Sequence, residues 1–334
     1  MQIPENLIPA AKLAAVEKAL FKTFDTTAVE EIILLTGGLS ASAVYRIKVN
    51  DQYYVLKLDN PVPVIQDDQL SCMEIAAAAG IAPAVYHLDK AAGVTITGFI
   101  PPVPLVFDHP DKLLSELAKT IRRIHELPYF PHENSLQDTV DGLIGQFKMS
   151  GMLTGPVFDE CFAHYETIRQ QYPWFDTDKV SSHNDLNPNN MVFDGKKIWI
   201  IDWDAAFKND RYVDLAITAN FYITTQEQEE LFLETYFGRD LHSYHRARFF
   251  VMRLVCRLVY AMLMFKLADG SKTGGIKHNP EMNNISLKEL KIQLGSGALS
   301  LADYNGQMFF GKALMNEALH YMQSPRFAQS IALL

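Results

Sequence analysis

The feature that most constrains this chain is the stretch Ser181–Asp204, which reads SSHNDLNPNNMVFDGKKIWIIDWD. It contains two short apolar runs, Met191–Phe193 and Lys197–Ile201, on either side of the Asp-Gly pair Asp194–Gly195. An Asp-Gly pair between apolar runs favours a tight β-turn, because such turns need residues that accept a positive φ. The stretch is therefore predicted to form a β-hairpin.

Polar side chains flank this predicted hairpin. His183 and Asp185 precede it, Asn190 adjoins its first strand, and Asp202 ends its second strand. Carboxylate and amide oxygens suit Mg²⁺, which prefers one or two carboxylates plus substrate phosphates. A further carboxylate can take the proton of an attacking hydroxyl. The pattern therefore predicts phosphoryl transfer, with Asn190 and Asp202 holding Mg²⁺ and Asp185 acting on the hydroxyl.

These residues resemble the motifs of the choline kinase and aminoglycoside phosphotransferase superfamily. The spacing from His183 and Asp185 to Asn190 is that of the kinase catalytic loop. His-Asn-Asp-Leu-x-Pro-x-Asn followed by Ile-Asp-Trp is closest to the choline/ethanolamine kinase branch. That branch usually has an acidic residue and an aromatic residue after the Trp. Asp204 keeps the acid, and Ala205 stands where the aromatic is common.

The resemblance implies an α+β, two-lobed fold of the protein-kinase type. A small antiparallel-sheet lobe, residues 1–98, would bind the nucleotide. A larger, mainly helical lobe, residues 99–334, would carry the catalytic loop and the alcohol site. The implied cofactors are ATP and Mg²⁺. By the same resemblance, Trp203 and Asp204 are expected beside the substrate.

Residues near the N-terminus supply a candidate phosphate lid and a candidate phosphate-binding lysine. A glycine-containing segment, Gly37, Gly38, Leu39 and Ser40, follows a predicted strand, and glycine lets a backbone approach phosphate closely. The open alternative for them is an ordinary hairpin. Lys57 lies in Tyr-Val-Leu-Lys-Leu, a context that resembles the kinase lysine that holds the α- and β-phosphates. A solvated lysine on an edge strand is the alternative.

A helix predicted from Asp67 to Ala79 carries Glu74. By resemblance, Glu74 is the glutamate that pairs with Lys57, and an exposed helix carboxylate is the alternative. Phe99 and Ile100 lie in the predicted hinge, where the family binds adenine through backbone groups.

Other helices are predicted from apolar periodicity, with the catalytic loop between them. His125, at the end of a helix over Asp111–Leu127, is interpreted as a hydrogen-bonded packing residue. By resemblance, Asp214 braces the backbone of the catalytic loop. The glycine-containing segment Gly270–Asn284 is predicted to be a mobile loop.

Composition excludes several classes of protein. The chain has 30 Lys and Arg against 39 Asp and Glu, a net charge of −9, which argues against a nucleic-acid partner. Its three isolated cysteines form no disulfide or zinc pattern. No signal peptide is apparent, and Arg253 and Arg257 interrupt the apolar segment Phe249–Phe265, so no membrane helix is predicted. These features indicate a cytoplasmic protein, and its oligomeric state is left open.

The predicted function is ATP-dependent phosphorylation of a small, cationic amino alcohol such as choline or ethanolamine. A quaternary ammonium would need aromatic faces, because it cannot donate hydrogen bonds. The alternatives are a kinase for an aminoglycoside, thiamine, an amino sugar or a methylthioribose-like sugar, or a nucleotide-binding pseudokinase that serves as an interaction module. The aromatic residues from which such a site could be built are Trp203, Phe207, Tyr212, Phe221, Tyr222, Phe249, Phe250 and Tyr260.

Overall fold

The computed structural model describes residues 7–35, 42–61, 70–175, 178–271, 278–282 and 286–334. The elements in chain order are α1 (Ala10–Phe24), β1 (Glu31–Leu35), β2 (Ala43–Val49), β3 (Gln52–Leu58), α2 (Cys72–Ala78), β4 (Val85–Asp89), β5 (Val94–Gly98), α3 (Pro110–His125), α4 (Leu136–Ser150), α5 (Pro156–Gln171), β6 (Lys179–Ser182), β7 (Met191–Phe193), β8 (Ile198–Ile200), β9 (Phe207–Asp210), α6 (Tyr212–Tyr222), α7 (Gln226–Phe237), α8 (Ser243–Gly270), α9 (Leu287–Gly295), α10 (Tyr304–Met322) and α11 (Pro325–Ile331).

The chain forms two compact units. Unit 1 contains residues 1–108, 126–131 and 187–206, and unit 2 contains residues 109–125, 132–186 and 207–334. The two lobes predicted at residues 1–98 and 99–334 stay a prediction. The chain crosses between the two compact units several times.

Unit 1 contains a five-stranded antiparallel sheet in the order β1-β2-β3-β5-β4. Strand β3 alternates as a half-buried strand should, with Leu56 and Leu58 buried and Lys57 on the opposite face. Helix α1 packs its buried residues Val16 and Leu20 against the core of this sheet. The hairpin of β7 and β8 also belongs to this unit and turns at Asp194–Gly195, as predicted.

Unit 2 is mainly helical. Helix α8 is 28 residues long, is buried along most of its length, and packs against α4, α6, α10 and α11. Strands β6 and β9 pair with each other, and in the sequence they stand before and after the hairpin of β7 and β8. A small antiparallel sheet together with a larger helical part confirms the predicted α+β class. None of the described helices combines the length and apolar composition needed to span a membrane.

Helix α2 differs from its prediction. It begins at Cys72 instead of Asp67, because the Ser71 side chain accepts from Glu74 N and the Glu74 carboxylate accepts from Ser71 N. This reciprocal capping box fixes the helix start. Asp67 and its neighbours over 62–69 lie outside the described residues. The predicted loop Gly270–Asn284 also falls largely outside them.

Candidate active site

Lys57 lies among three carboxylates of unit 1. Its Nζ donates to Asp202 Oδ1 at 2.9 Å and to Asp204 Oδ2 at 2.5 Å, and Asp59 Oδ1 lies 3.7 Å away. Burial lowers the pKa of this ammonium, but the hydrogen bond to Asp204 and the attraction of Asp202 outweigh that effect and raise it. Lys57 is therefore a fixed positive charge at neutral pH.

Asp202 follows β8 in a left-handed conformation, with φ of 61° and ψ of 68°. Such a backbone is uncommon for residues other than glycine and occurs often at functional sites. The preceding residue, Ile201, donates its N–H to Asn190 O at 3.0 Å. This bond ties the backbone that carries Asn190, which is buried, to the strand end that carries Asp202. The backbones that carry the two predicted metal ligands are thus joined at the open end of the hairpin.

A carboxylate and an amide oxygen match the donor set that Mg²⁺ accepts. Within the described ranges, no group of three or more His, Cys, Asp or Glu side chains forms a self-contained metal cage. Mg²⁺ at Asp202 and Asn190 would therefore complete its coordination with water or phosphate oxygens, as it does in nucleotide sites. The residues present fit that use.

Asp185, in unit 2, is held by a tyrosine that lies 75 residues further along the chain. Tyr260, on α8, donates its hydroxyl to Asp185 Oδ1 at 2.5 Å, and the backbone N–H of Asp185 lies 3.3 Å from His183 Nδ1. The tyrosine fixes the orientation of the carboxylate through one oxygen.

Asp214 braces the backbone just before Asp185. It accepts from His183 N at 2.8 Å and from Asn184 N at 2.7 Å, and His125 Nε2 lies 3.2 Å from its carboxylate. Burial alone would raise the pKa of Asp214, but the hydrogen bond and charge of His125 and the bond from His183 bring it below its usual value. His125 is thus a packing residue with a hydrogen-bonding role, as interpreted from the sequence.

Asn184 has an uncommon backbone conformation, and hydrogen bonds of its side chain hold it in place. Its φ is 65°, in the left-handed region, so it turns the chain sharply before Asp185. Its Oδ1 accepts from Asn209 Nδ2 at 2.8 Å, and its Nδ2 donates to Phe207 O at 3.4 Å. Sequence analysis missed Asn209. The sequence offered one indication of it, which is that Asn209 is a polar residue five positions before Asp214.

The structure revises two of the predicted roles. Glu74 uses its carboxylate in the capping box of α2, and the ion pairs of Lys57 among the described residues are made with Asp59, Asp202 and Asp204. The predicted pair between Lys57 and Glu74 is therefore corrected, because the short helix uses that carboxylate at its own N-terminus.

Trp203 is 5% exposed, donates its indole N–H to Ile200 O and meets the Phe130 ring edge-on. Little of the indole is left for contact with substrate, so the substrate role predicted for Trp203 is revised.

Of the remaining residues predicted to bind the nucleotide, the structure describes Phe99 and Ile100. Phe99 and Ile100 follow β5 without regular structure, and Phe99 N lies 3.4 Å from Tyr53 O. The candidate phosphate lid Gly37, Gly38, Leu39 and Ser40 lies outside the described residues.

A small cavity of about 20 Å³ in unit 2 has Tyr260 in its wall. It has room for about one water molecule. Phe221, which meets Tyr260 edge-on at 6.0 Å, also lines it. Two cationic residues that sequence analysis did not select, Arg257 and Lys291, share the wall.

Comparison with known proteins gives both a family and a fold. The model of a family described as "Phosphotransferase enzyme family" matches residues 31–250, more than half of the chain. A choline/ethanolamine kinase family protein from Mesorhizobium loti has a similar structure, with a TM-score of 0.67, 20% identity, and 96% of this chain and 98% of that chain covered. Choline kinase from Cryptosporidium parvum gives a TM-score of 0.62 at 13% identity, with 96% of each chain covered. At these identities the likeness shows the fold.

A sequence relative is Protein LicA of Haemophilus influenzae, which is 33% identical over 67 residues. The match covers 20% of this chain and 25% of that protein. The chain therefore matches about a quarter of the length of this curated relative.

Proposed function

Because the chain belongs to the phosphotransferase enzyme family, we propose that it transfers the γ-phosphoryl group of ATP to the hydroxyl of a small amino alcohol, choline or ethanolamine. The observation that carries this proposal is the pair of charged arrangements described above. One is Lys57 with Asp202 and Asp204, and the other is Asp185 oriented by Tyr260. Each has the residue types that phosphoryl transfer uses.

The unit 1 residues would act on the nucleotide. Lys57 would exchange its carboxylate partners for phosphate oxygens, and Asp202 and Asn190 would hold Mg²⁺. The metal would neutralise charge on the phosphates, which a loose transition state leaves largely on their oxygens. The hydrogen bond between Ile201 N and Asn190 O keeps these ligands in place without rearrangement during the reaction.

Asp185 would act on the acceptor. Tyr260 donates to Oδ1 and orients the carboxylate, which would accept a hydrogen bond from the substrate hydroxyl. As the hydroxyl oxygen forms its bond to phosphorus, its proton passes to Asp185 and ADP leaves. The fixed loop geometry, imposed by Asp214 on His183 and Asn184, positions the carboxylate for this step.

Two sets of observations bear on the acceptor. Phe221 and Tyr260 beside Asp185 support a cationic head group, as do the relatives named choline kinase and LicA. Arg257 and Lys291 in the same cavity wall favour a second candidate, because like charges repel a cation. That candidate is an uncharged acceptor such as a methylthioribose-like sugar.

The test is an ADP-release screen with Mg²⁺ and ATP across choline, ethanolamine, thiamine, aminoglycosides, amino sugars and a methylthioribose-like sugar. We expect turnover with choline or ethanolamine, and a fall in kcat of about 10²–10⁴-fold in Asp185→Asn with nucleotide binding kept. Turnover with the sugar alone would replace the acceptor. ADP release that is equal in the wild type and Asp185→Asn would remove Asp185 from catalysis.

A further inference from the structure

A second cavity in unit 2, of about 170 Å³, lies between the start of α7, the middle of α8 and the C-terminal helices and is partly open to solvent. It has room for several water molecules. It lies apart from the residues assigned above to nucleotide and acceptor, except that Arg257 lines both this cavity and the one next to Tyr260.

Positive charge dominates the wall of this cavity. Three arginines, Arg253, Arg257 and Arg326, line it together with one carboxylate, Glu229. Glu229 is 5% exposed, and two of these arginines already share it. Arg253 Nη1 donates to its Oε2 at 2.8 Å, and Arg326 pairs with its Oε1. The one carboxylate found in the wall among the described residues therefore already has two arginine partners before Arg257 is considered.

Arg257 lacks an equivalent partner. It is 3% exposed, and its Nε has no hydrogen-bond partner in the part of the chain that the structure describes. Its nearest carboxylate is Glu317 Oε1, at 3.7 Å, and its guanidinium lies 5.1 Å from the centre of the Tyr321 ring. A buried donor without an acceptor is costly, and a buried charge more so. An anion in the cavity would relieve that cost.

The electrostatics of Arg257 agree with this geometry. Burial and the neighbouring charge of Arg253 lower the pKa of Arg257 to about 10. The guanidinium of Arg257 still carries its positive charge at neutral pH, and that charge is balanced by fewer nearby negative groups than is usual for a buried arginine. Thr225 and Gln226, the N-cap and first residue of the twelve-residue helix α7, also line the cavity. The positive end of a helix dipole adds to the attraction for an anion.

We propose that this cavity is a binding site for a small phosphate-bearing anion, held by Arg257 with Arg253 and Arg326. Phosphate oxygens can accept from several guanidinium groups at once, which matches three arginines that line one cavity. The site goes beyond the proposed phosphotransfer. Its ligand is free phosphate or the phosphate group of a phosphorylated alcohol, and these two sources share the same chemistry.

The experiment measures thermal unfolding of the full chain in increasing sodium phosphate, against sodium chloride at equal ionic strength. We expect saturable stabilisation by phosphate in the wild type. In Arg257→Gln the half-saturating concentration should rise at least about tenfold, as expected for loss of a charge-assisted hydrogen bond. Because Arg257 is buried, Arg326→Gln is the second variant. Its side chain is 40% exposed, and we expect a smaller rise in the same direction.

Two control variants locate the effect. Arg246→Gln removes an arginine of α8 that pairs with Glu230 and does not line the cavity, so it should keep the wild-type response. Lys57→Met removes the other candidate phosphate contact and should also keep it. A response lost in Lys57→Met and kept in Arg257→Gln and Arg326→Gln would overturn the proposal, because phosphate would then sit in the nucleotide site. The proposal would also be overturned if the wild type gave no saturable response to inorganic phosphate or to phosphocholine.

A parallel titration with phosphocholine separates the two sources. Stabilisation by inorganic phosphate alone identifies a free anion, and tighter binding of phosphocholine with the same sensitivity to Arg257→Gln identifies a phosphorylated alcohol. These measurements require no turnover. A chain that fails the acceptor screen can therefore still pass them, and the two proposals can fail separately.

Discussion

Asp202 shows how one residue combines backbone strain with charge. Its left-handed conformation costs of the order of 1–2 kcal/mol relative to a right-handed one. The conformation directs the carboxylate to Lys57, and the backbone of the preceding residue bonds to Asn190. Asp204, two residues on, shares the same lysine but is far more exposed, at 71% against 37% for their side chains. The two aspartates are therefore not equivalent.

We predict different consequences for the two aspartates. Asp202→Ala should abolish Mg²⁺-dependent turnover, because it removes the carboxylate that we propose holds the metal together with Asn190. Asp204→Ala should keep a wild-type Mg²⁺ dependence, because its exposed carboxylate contributes mainly a bond to Lys57. Steady-state rates over a Mg²⁺ titration would check this. The same shifted metal dependence in both variants would refute the division of roles.

At the level of elements, the turn between β6 and Asp185 depends on α6. Asp214, in the first turn of α6, is fully buried and accepts from two successive backbone N–H groups. A buried carboxylate is stable there only because His125 and these donors satisfy its oxygens. Helix α6 thus determines the geometry of a loop that it does not contain.

Asp214→Asn should destabilise the chain by about 3–5 kcal/mol, because it removes one partner of a buried charged network. The pKa of Asp214 is lower in the folded state than in the unfolded chain. Its contribution is therefore present above the unfolded pKa of about 3.9 and is lost as pH falls through the folded pKa. Urea unfolding at several pH values should show a shallower acid loss in Asp214→Asn. Equal acid slopes in the two proteins would contradict the linkage.

The contact between α8 and α10 gives a second prediction for an element. A Cβ at Gly311 would lie 2.6 Å from the ring of Phe265, which is fully buried. Gly311→Ala should therefore cost about 1–3 kcal/mol through overpacking. The matched control is Gly142→Ala, an exposed position inside α4 with nothing within 4 Å of the added atom, which should gain up to about 1 kcal/mol. Chemical unfolding of both variants measures the difference. A stabilised Gly311→Ala would show that the helices can move apart.

Across the whole molecule, the sequence predicts the elements whose bounds depend on neighbouring residues in the chain. The hairpin strand Met191–Phe193 and the strand Glu31–Leu35 were predicted with the bounds that they have, because turn residues and alternation mark them. The pair of Lys179–Ser182 with Phe207–Asp210 was missed, since each strand finds its partner far along the chain. Sequence spacing carries no information on such pairing.

The candidate site follows the same rule. Asp185, Asn190 and Asp202 were found because they form one short motif. Two further features depend on how α8 packs. They are the hydrogen bond of Tyr260 to Asp185 and the position of Arg257 in the same cavity wall as Tyr260. From the sequence, Tyr260 is one of several candidate aromatic residues. Arg257 indicates only that its apolar segment is not a membrane helix. Contacts made by folding select among candidates that composition leaves equal.

Ligand binding should couple the charges around Lys57 to the stability of the whole chain. Lys57 neutralises Asp202 and Asp204 through its two ion pairs, so Mg²⁺ alone must compete with a bound ammonium. With ADP present, the phosphates can attract Lys57 and leave Asp202 to the metal. Mg²⁺ together with ADP at about 100 times the dissociation constant should therefore stabilise the wild type by about 2.7 kcal/mol, and Mg²⁺ alone by much less.

Lys57→Met should reverse this preference. Without the ammonium, Asp202 and Asp204 are left unneutralised, so Mg²⁺ alone should raise the melting temperature more in the variant than in the wild type. The added effect of ADP should shrink, because a phosphate contact is lost. Lys48→Met is the matched control, since Lys48 pairs with Glu30 and Asp51 on the same sheet. Thermal unfolding with Mg²⁺, with ADP and with both measures the effect. If Mg²⁺ alone stabilises Lys57→Met no more than it stabilises Lys48→Met, then Lys57 does not compete with metal at these aspartates.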